Sequence, residues 1–339
     1  MPKRIIEMDI LRGLAILGVI TGHVAAETLY VKTTFLGILF NQVIRFAVPV
    51  YIFLSGMGLS LSKKPYSGYI NFVGQRLRKI IPLYCLWTAI YLFPLPFGGP
   101  IFSLKTYFKA VFTGNASFQL YFVPLIIQLY LLFPLLHRYF QTKIGLVLSF
   151  FITLALQASQ VYFPKSLWLL GDQRFFLNWL FFFVLGLWCA PRLATWQRQF
   201  QSRQPVIFIA FLLCLAGMLL EAKTNLSAGK GLVYSLSNMR PSVMLYSLAF
   251  GALVFTCKSW PKVFISFFRF LSGISYDLFL VHVFVLVEFN ALFIHTGISK
   301  ATLTYGIFAF LVVLVFSIGI VFVQRYLLNS LLQLLSLKL

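Results

Sequence analysis

Of the 339 residues, 60% are hydrophobic, 18% aromatic and only 10% charged, and the mean hydropathy is +0.91. Soluble domains carry about 45–50% apolar and about 25% charged residues, so a soluble enzyme, a disordered chain and a secreted disulfide scaffold are excluded in favour of an integral membrane protein. The 28 Lys and Arg outnumber the 7 Asp and Glu, a net charge of +21. They fall in short segments between apolar stretches, where cations are retained on the cytoplasmic side of a bilayer. They form no basic face with interleaved aromatics, so no nucleic-acid partner is expected.

The first apolar stretch follows Lys3 and Arg4. Ala25-Ala26-Glu27 is a poor cleavage site and nine more apolar stretches follow, so this is a retained helix and not a signal peptide. A spanning helix needs about 20 apolar residues. That length predicts helices near 10–29, 35–61, 79–95, 118–136, 144–163, 175–190, 205–220, 241–257, 272–295 and 301–327. The third is interrupted by Pro94 and Pro96. The fold class expected is all-α, a polytopic membrane bundle of about ten transmembrane helices. With the N-terminus inside, 17 cations fall on the inner side and 9 on the outer, which places both termini in the cytoplasm. No repeat is visible and no connecting segment is long enough for a domain. Residues 1–339 therefore read as a single integral-membrane domain with no attached soluble domain. Cys85, Cys189, Cys214 and Cys257 lie far apart with no CxxC spacing, so no metal site or disulfide framework is expected. The six Trp and 39 Phe read mostly as lipid-facing and interfacial side chains.

Ionisable side chains inside spans are costly and point to function. The first helix concentrates them: Asp9, Arg12, His23 and Glu27. Arg12 and His23 are eleven residues apart, within about 20° of the same helix face, and Asp9 and Glu27 each lie about 40° from His23. Such a stripe must face protein or a wet cavity. Asp9 and Arg12 are placed to pair at the cytoplasmic end. His23, roughly 16 Å further along the axis, is placed to act as a general base. Glu27, one turn on, is placed to orient that imidazole or stabilise its protonated form. The second span carries Arg45 and then Pro49-Val50-Tyr51-Ile52-Phe53-Leu54-Ser55-Gly56, where the small residues permit close approach of another backbone or a ligand. The following inner loop ends in Arg76-Leu77-Arg78-Lys79-Ile80-Ile81-Pro82, a run that suits both positive-inside retention and the phosphates of a cytosolic ligand. Asp277 and Glu288 are further charges in the ninth span, with no partner assignable from sequence.

Taken together, these segments resemble the acyltransferase-3 family of multi-pass membrane acyltransferases. The family's Arg–ten residues–His element reads as Arg12 through His23, and its Pro-x-Phe-Phe-x-x-Ser-Gly element as Pro49 to Gly56. Its basic Arg-x-Arg-x-x-x-Pro element is similar to Arg76–Pro82, and Phe-Phe-x-x-Gly to Phe182–Gly186. The late Ser-Tyr-x-x-Tyr-Leu-x-His element is similar to Ser275-Tyr276-Asp277-Leu278-Phe279-Leu280-Val281-His282. The elements occur in family order along nearly the whole chain. Two departures stand out: Gln119-Leu120-Tyr121-Phe122 replaces a His-x-Trp-Phe stretch, and Asp277 stands where Gly is common.

The resemblance implies transfer of an acyl group, usually acetyl, from cytosolic acyl-CoA to a hydroxyl of an extracytoplasmic polysaccharide or lipid-linked glycan, in a bacterial cytoplasmic membrane. His23, with Arg12, Asp9 and Glu27, would form the catalytic group. Arg76, Arg78, Arg45 and Ser55 would contact the donor, with Arg45 holding charge on the thioester oxygen. His282, Ser275 and Tyr276 are further candidates. Acyl-CoA is then a donor substrate and not a resident cofactor, and a separate protein of envelope-glycan synthesis is an expected partner. The competing expectation is a glycan or lipid transporter using the same buried cluster, which inverted repeats would support.

Overall fold

The computed structural model describes residues 5–62, 68–93, 103–162 and 172–336, and among them helix is the only regular element. Lys3, Arg4, Lys63, Lys64, Lys165 and Lys338, which belong to the inner and outer cation counts, and Pro94 and Pro96 lie outside the described residues. In chain order the helices are α1 (Ile6–Val31), α2 (Phe35–Val43), α3 (Ala47–Ser60), α4 (Tyr69–Leu92), α5 (Leu104–Thr113), α6 (Phe122–Phe140) and α7 (Lys143–Tyr162). They continue with α8 (Leu180–Cys189), α9 (Leu193–Ser202), α10 (Gln204–Ser227), α11 (Leu232–Ser235), α12 (Pro241–Thr256), α13 (Lys262–Phe293) and α14 (Leu303–Ser336). Eight stretches among the described residues are long and apolar enough to cross a membrane. The chain is a multi-pass helical membrane protein. The remaining two predicted spans are also helical: α12 has only 16 residues, and α4 has 24 but carries Arg76, Arg78 and Lys79.

Three boundaries differ from the sequence expectation for one reason. Apolarity marks where a helix meets lipid, whereas cations and amides continue a helix well beyond it. The basic run Arg76–Lys79 is therefore helical and not a loop, because α4 starts at Tyr69. Likewise α13 starts at Lys262, ten residues before the expected 272, and α10 runs on to Ser227.

The second predicted span is broken in its middle. Residues 44–46 form a turn between α2 and α3, closed by Arg45 N–H to the Gln42 carbonyl and Ala47 N–H to the Ile44 carbonyl. Pro49 explains why α3 restarts there: in the first turn of a helix its missing N–H is not needed, whereas in a continuous helix it would leave the Arg45 carbonyl unpaired. A break at membrane depth requires protein or water around it, and this one borders a cavity of about 460 Å³.

Two helix pairs organise the bundle. The helices α1 and α13 run side by side in the same direction, with Gly13 against Phe268 at one end and His23 beside His282 further along. At a second crossing, α3 meets α8 where Gly56 and Gly186 face each other's backbones. A Cβ on Gly56 would lie 2.2 Å from the Phe183 carbonyl oxygen, and one on Gly186 would lie 2.1 Å from that of Phe53. Small residues at a membrane crossing let van der Waals contact replace the missing hydrophobic drive. Several aromatics expected against lipid instead fill the interior: Trp179, Phe133 and Phe183 are fully buried. The face open to lipid is supplied by aliphatic and aromatic residues such as Leu213, Val315 and Phe316.

Candidate active site

The polar stripe of α1 faces α13. At the end where α1 begins, here the proximal end, the buried Asp9 carboxylate accepts a hydrogen bond from Ser272 Oγ at 2.8 Å. The same hydroxyl accepts one from Arg12 Nη1 at 3.3 Å. The direct Asp9–Arg12 pair expected from sequence is thus bridged by a hydroxyl from another helix. Ser272 has one proton to give and lone pairs to receive, so it joins anion and cation without competing with either. Ser275 turns back to the Ser272 carbonyl at 3.1 Å, and Tyr276 donates to the Ile80 carbonyl at 2.8 Å, tying α13 to the basic helix α4. Asp277 is accounted for by α14: it accepts from Arg325 and, at 3.1 Å, from Gln324, whose own amide oxygen accepts from Trp87 at 2.8 Å.

The two arginines of α4 do not converge. Arg76 is half-buried, with its guanidinium 5.6 Å from the centre of the Phe72 ring and Nη2 donating to Ser62 Oγ at 3.4 Å. Arg78 is exposed, as two residues (about 200°) of helix rotation require. Ser55 donates to the Tyr51 carbonyl of its own helix at 2.8 Å. The side chain of Tyr130 brings Ser55, Arg76 and Arg12 into one proximal neighbourhood.

Towards the distal end, a cavity of about 460 Å³ is lined by His23, Glu27, Asn41, Arg45, Gln119 and Asn238 among others. His23 has two ring neighbours there: Phe118 at 4.7 Å and His282 at 5.1 Å between centroids. His282 is fully buried, and its Nδ1 lies 3.0 Å from the Leu278 carbonyl. A carbonyl can only accept, so Nδ1 carries the proton, and in the neutral ring Nε2 keeps its lone pair. Among the described residues no partner meets that Nε2. Between this cavity and the proximal cluster lies a layer of three rings, Tyr51, Phe122 and Phe279, spaced 6.0 and 5.5 Å apart. The Tyr51 hydroxyl reaches the Arg12 carbonyl at 3.4 Å, so one side chain touches both compartments.

Arg45, expected from sequence to contact the donor together with Arg76, lines the distal cavity. Its Nη1 donates to Asn238 at 2.6 Å and its Nη2 to Asn41. Asn41 also accepts from Gln42 at 3.1 Å, Gln42 in turn accepts from Arg240, and Arg240 pairs with Glu221 at 3.0 Å. Sequence reasoning missed Asn41, Gln42, Asn238, Arg240 and Glu221. Amides in a membrane helix were the only available signal, and Arg240 reads as an ordinary loop cation until its 1% exposure is known. Glu27 lines the cavity, but its carboxylate is engaged by Lys300 at 3.1 Å, so the salt bridge goes to the start of α14 and not to His23.

Gln119, the departure from the family's histidine, has a structural task. It donates to the Tyr91 hydroxyl at 3.0 Å, and that hydroxyl donates to the Leu280 carbonyl at 2.8 Å while accepting the Phe284 amide at 3.0 Å. A side chain is thus inserted into the backbone ladder of α13 on either side of His282, a recognised cause of local helix distortion.

At the distal mouth, Asp172 and Arg174 form a clamp beside the cavity residue Gln173. Hydrogen bonding from Arg174 holds the Asp172 carboxyl below the usual carboxylate range. A lowered folded value means the clamp is fully present above the unfolded value of about 3.9 and is lost as pH falls through the lower folded one. Asp172→Asn is expected to lower the amide protection factors of residues 173–179 several-fold at pH 7, and acidification, with intrinsic rates corrected for pH, is expected to lower them in the wild type but not further in the variant. Hydrogen-exchange mass spectrometry checks both.

Residues 5–322 match the family model described as an acyltransferase domain, of acyltransferase-3 type. The chain is 25% identical over 304 residues to the Bacillus subtilis (strain 168) protein named "Putative membrane-bound acyltransferase YfiQ", a match covering 83% of this chain and 81% of that one. No solved structure matches it. With nearly the whole length matched, and the Arg–His and Ser-Tyr–His elements meeting along the seam of α1 and α13, the chain belongs to the acyltransferase-3 family of membrane acyltransferases.

Proposed function

We propose that this protein transfers an acyl group, acetyl in the first instance, from cytosolic acyl-CoA to a hydroxyl of an extracytoplasmic polysaccharide or lipid-linked glycan, across a bacterial cytoplasmic membrane. The observation that carries the reading is the meeting of His23, in the wall of a cavity also lined by amides and hydroxyls, with the buried His282 from the opposite end of the sequence. On this reading the proximal end is cytoplasmic, the cavity receives the glycan, and Arg12 and Arg76 lie on the donor's side of the aromatic layer.

His23 takes the proton of the acceptor hydroxyl as its oxygen attacks the thioester carbonyl. The tetrahedral species collapses with cleavage of the carbon–sulfur bond, and the proton leaves with the CoA thiol. Atoms balance as glycan hydroxyl plus acyl-CoA giving glycan ester plus CoA. The unpartnered Nε2 of His282 is a base beside the first ring, suited to keep His23 in the required tautomer or to accept its proton. Asp9 and Ser272 hold Arg12 in place by the bridge described above.

A donor held by guanidinium–phosphate bonds gives a direct test. Arg76→Gln is expected to raise the KM for acyl-CoA about tenfold, the scale of one lost charge-assisted hydrogen bond. The exposed Arg78→Gln is expected to change it less than about threefold, by loss of a solvated charge. Steady-state CoA release by the purified protein, at fixed glycan, measures both. An unchanged KM in Arg76→Gln contradicts a donor site at α4.

A further inference from the structure

The charge balance of the distal cavity identifies the class of acceptor. Of the seven acidic residues in the chain, none lies within ion-pairing distance of Arg45. In the distal half, Glu27 is taken by Lys300, Asp172 by Arg174 and Glu221 by Arg240. Glu288, also in that half, does not line the cavity. The two bonds that Arg45 makes go to the side-chain oxygens of Asn238 and Asn41, which are neutral. Its Nε is buried and meets no acceptor among the described residues.

The amides are themselves fixed. Asn41 is only 3% exposed, and its oxygen receives both Arg45 and Gln42. The guanidinium is therefore oriented but not neutralised. A charge at membrane depth without a counter-ion is costly, and removing it from water leaves the cost standing until an anion arrives. A cavity meant for an uncharged sugar needs only amides, hydroxyls and rings, and this one already has them.

We infer that Arg45 binds an anionic group of the acceptor, so that the glycan taken by this cavity bears a carboxylate or phosphate near the hydroxyl that is acylated. The inference rests on the acyl-transfer reading and names the substrate class within it. It differs from a role for Arg45 on the thioester oxygen, which would serve every acceptor equally.

The test uses the purified full chain in detergent with acetyl-CoA and three oligosaccharide acceptors of matched length: a uronic-acid oligomer, its carboxyl-reduced neutral counterpart and a phosphorylated neutral one. The expected result for the wild type is a kcat/KM at least about tenfold higher for one or both anionic acceptors than for the neutral one. The carboxylate and phosphate arms say which anion. In Arg45→Gln the anionic-to-neutral ratio is expected to fall to about one, and Arg45→Lys is expected to recover part of it. A wild-type ratio near one overturns the inference while leaving acyl transfer intact. So does a ratio unchanged in Arg45→Gln while both activities fall together, which assigns Arg45 to the thioester oxygen. Absence of CoA release with all three acceptors overturns the acyl-transfer reading and the inference with it.

Discussion

Replacing His23 by alanine is expected to lower kcat/KM for acyl transfer by about 10²- to 10⁴-fold, the range lost when a positioned general base is removed. The protein itself should still accumulate and remain folded. His23 is half-buried, lines an open cavity, and its ring neighbours are Phe118 and His282, so its removal enlarges existing space without opening a gap in the close-packed core. Glu27→Gln is expected to cost far less, because that carboxylate is engaged by Lys300. Ester formation and CoA release, measured together on protein of matched gel-filtration profile, decide the matter. Full activity in His23→Ala would remove the base from the scheme.

The largest structural effect is expected at the crossing of α3 and α8. In Gly186→Ala the new Cβ would stand 2.1 Å from the Phe53 carbonyl oxygen and 2.7 Å from the Met57 nitrogen. Both are backbone atoms, so no rotamer change relieves the clash and the helices must separate. Overpacking typically costs about 1–3 kcal/mol, and a backbone-to-backbone clash belongs at the upper end or beyond. Gly56→Ala meets the Phe183 carbonyl in the same way. Once either substitution has parted the helices, the second meets a gap already opened, so the double variant should lose much less than the sum of the singles. Thermal unfolding in detergent is the measurement, and strict additivity would mean that the two glycines act independently.

Much of this arrangement was legible in the sequence because membrane residence makes polar residues conspicuous. The stripe of Asp9, Arg12, His23 and Glu27 could be placed on one face by helix rotation alone, and the structure packs Asp9, Arg12 and His23 against α13. Ser55-Gly56 signalled a close approach, and Gly186 supplied its partner. What could not be read was contact between helices distant in sequence. The Ser272 bridge, the Arg325 partner of Asp277 and the Lys300 partner of Glu27 depend on packing, for which a periodic pattern carries no register between helices. Arg45 shows the limit most clearly. A charge within a span reads the same from either side of the membrane, and only the break after α2 and the amides around it place it in the distal cavity. Helix ends were misplaced wherever charged residues extended a helix past the apolar stretch, as in α4 and α13.

The central claim, that an acyl group moves from a donor at the proximal face to a hydroxyl on the other side, is tested most directly in sealed inverted membrane vesicles. Acetyl-CoA labelled in the acetyl group is added outside, at what was the cytoplasmic face, with envelope glycan enclosed within. The expected result is label esterified to carbohydrate in the lumen, removed by mild alkali, matched by release of CoA outside and absent with His23→Ala. Neither label transfer nor CoA release, from well-folded protein offered several acyl-CoAs and acceptors, would contradict acyl transfer and favour transport by the same buried polar cluster.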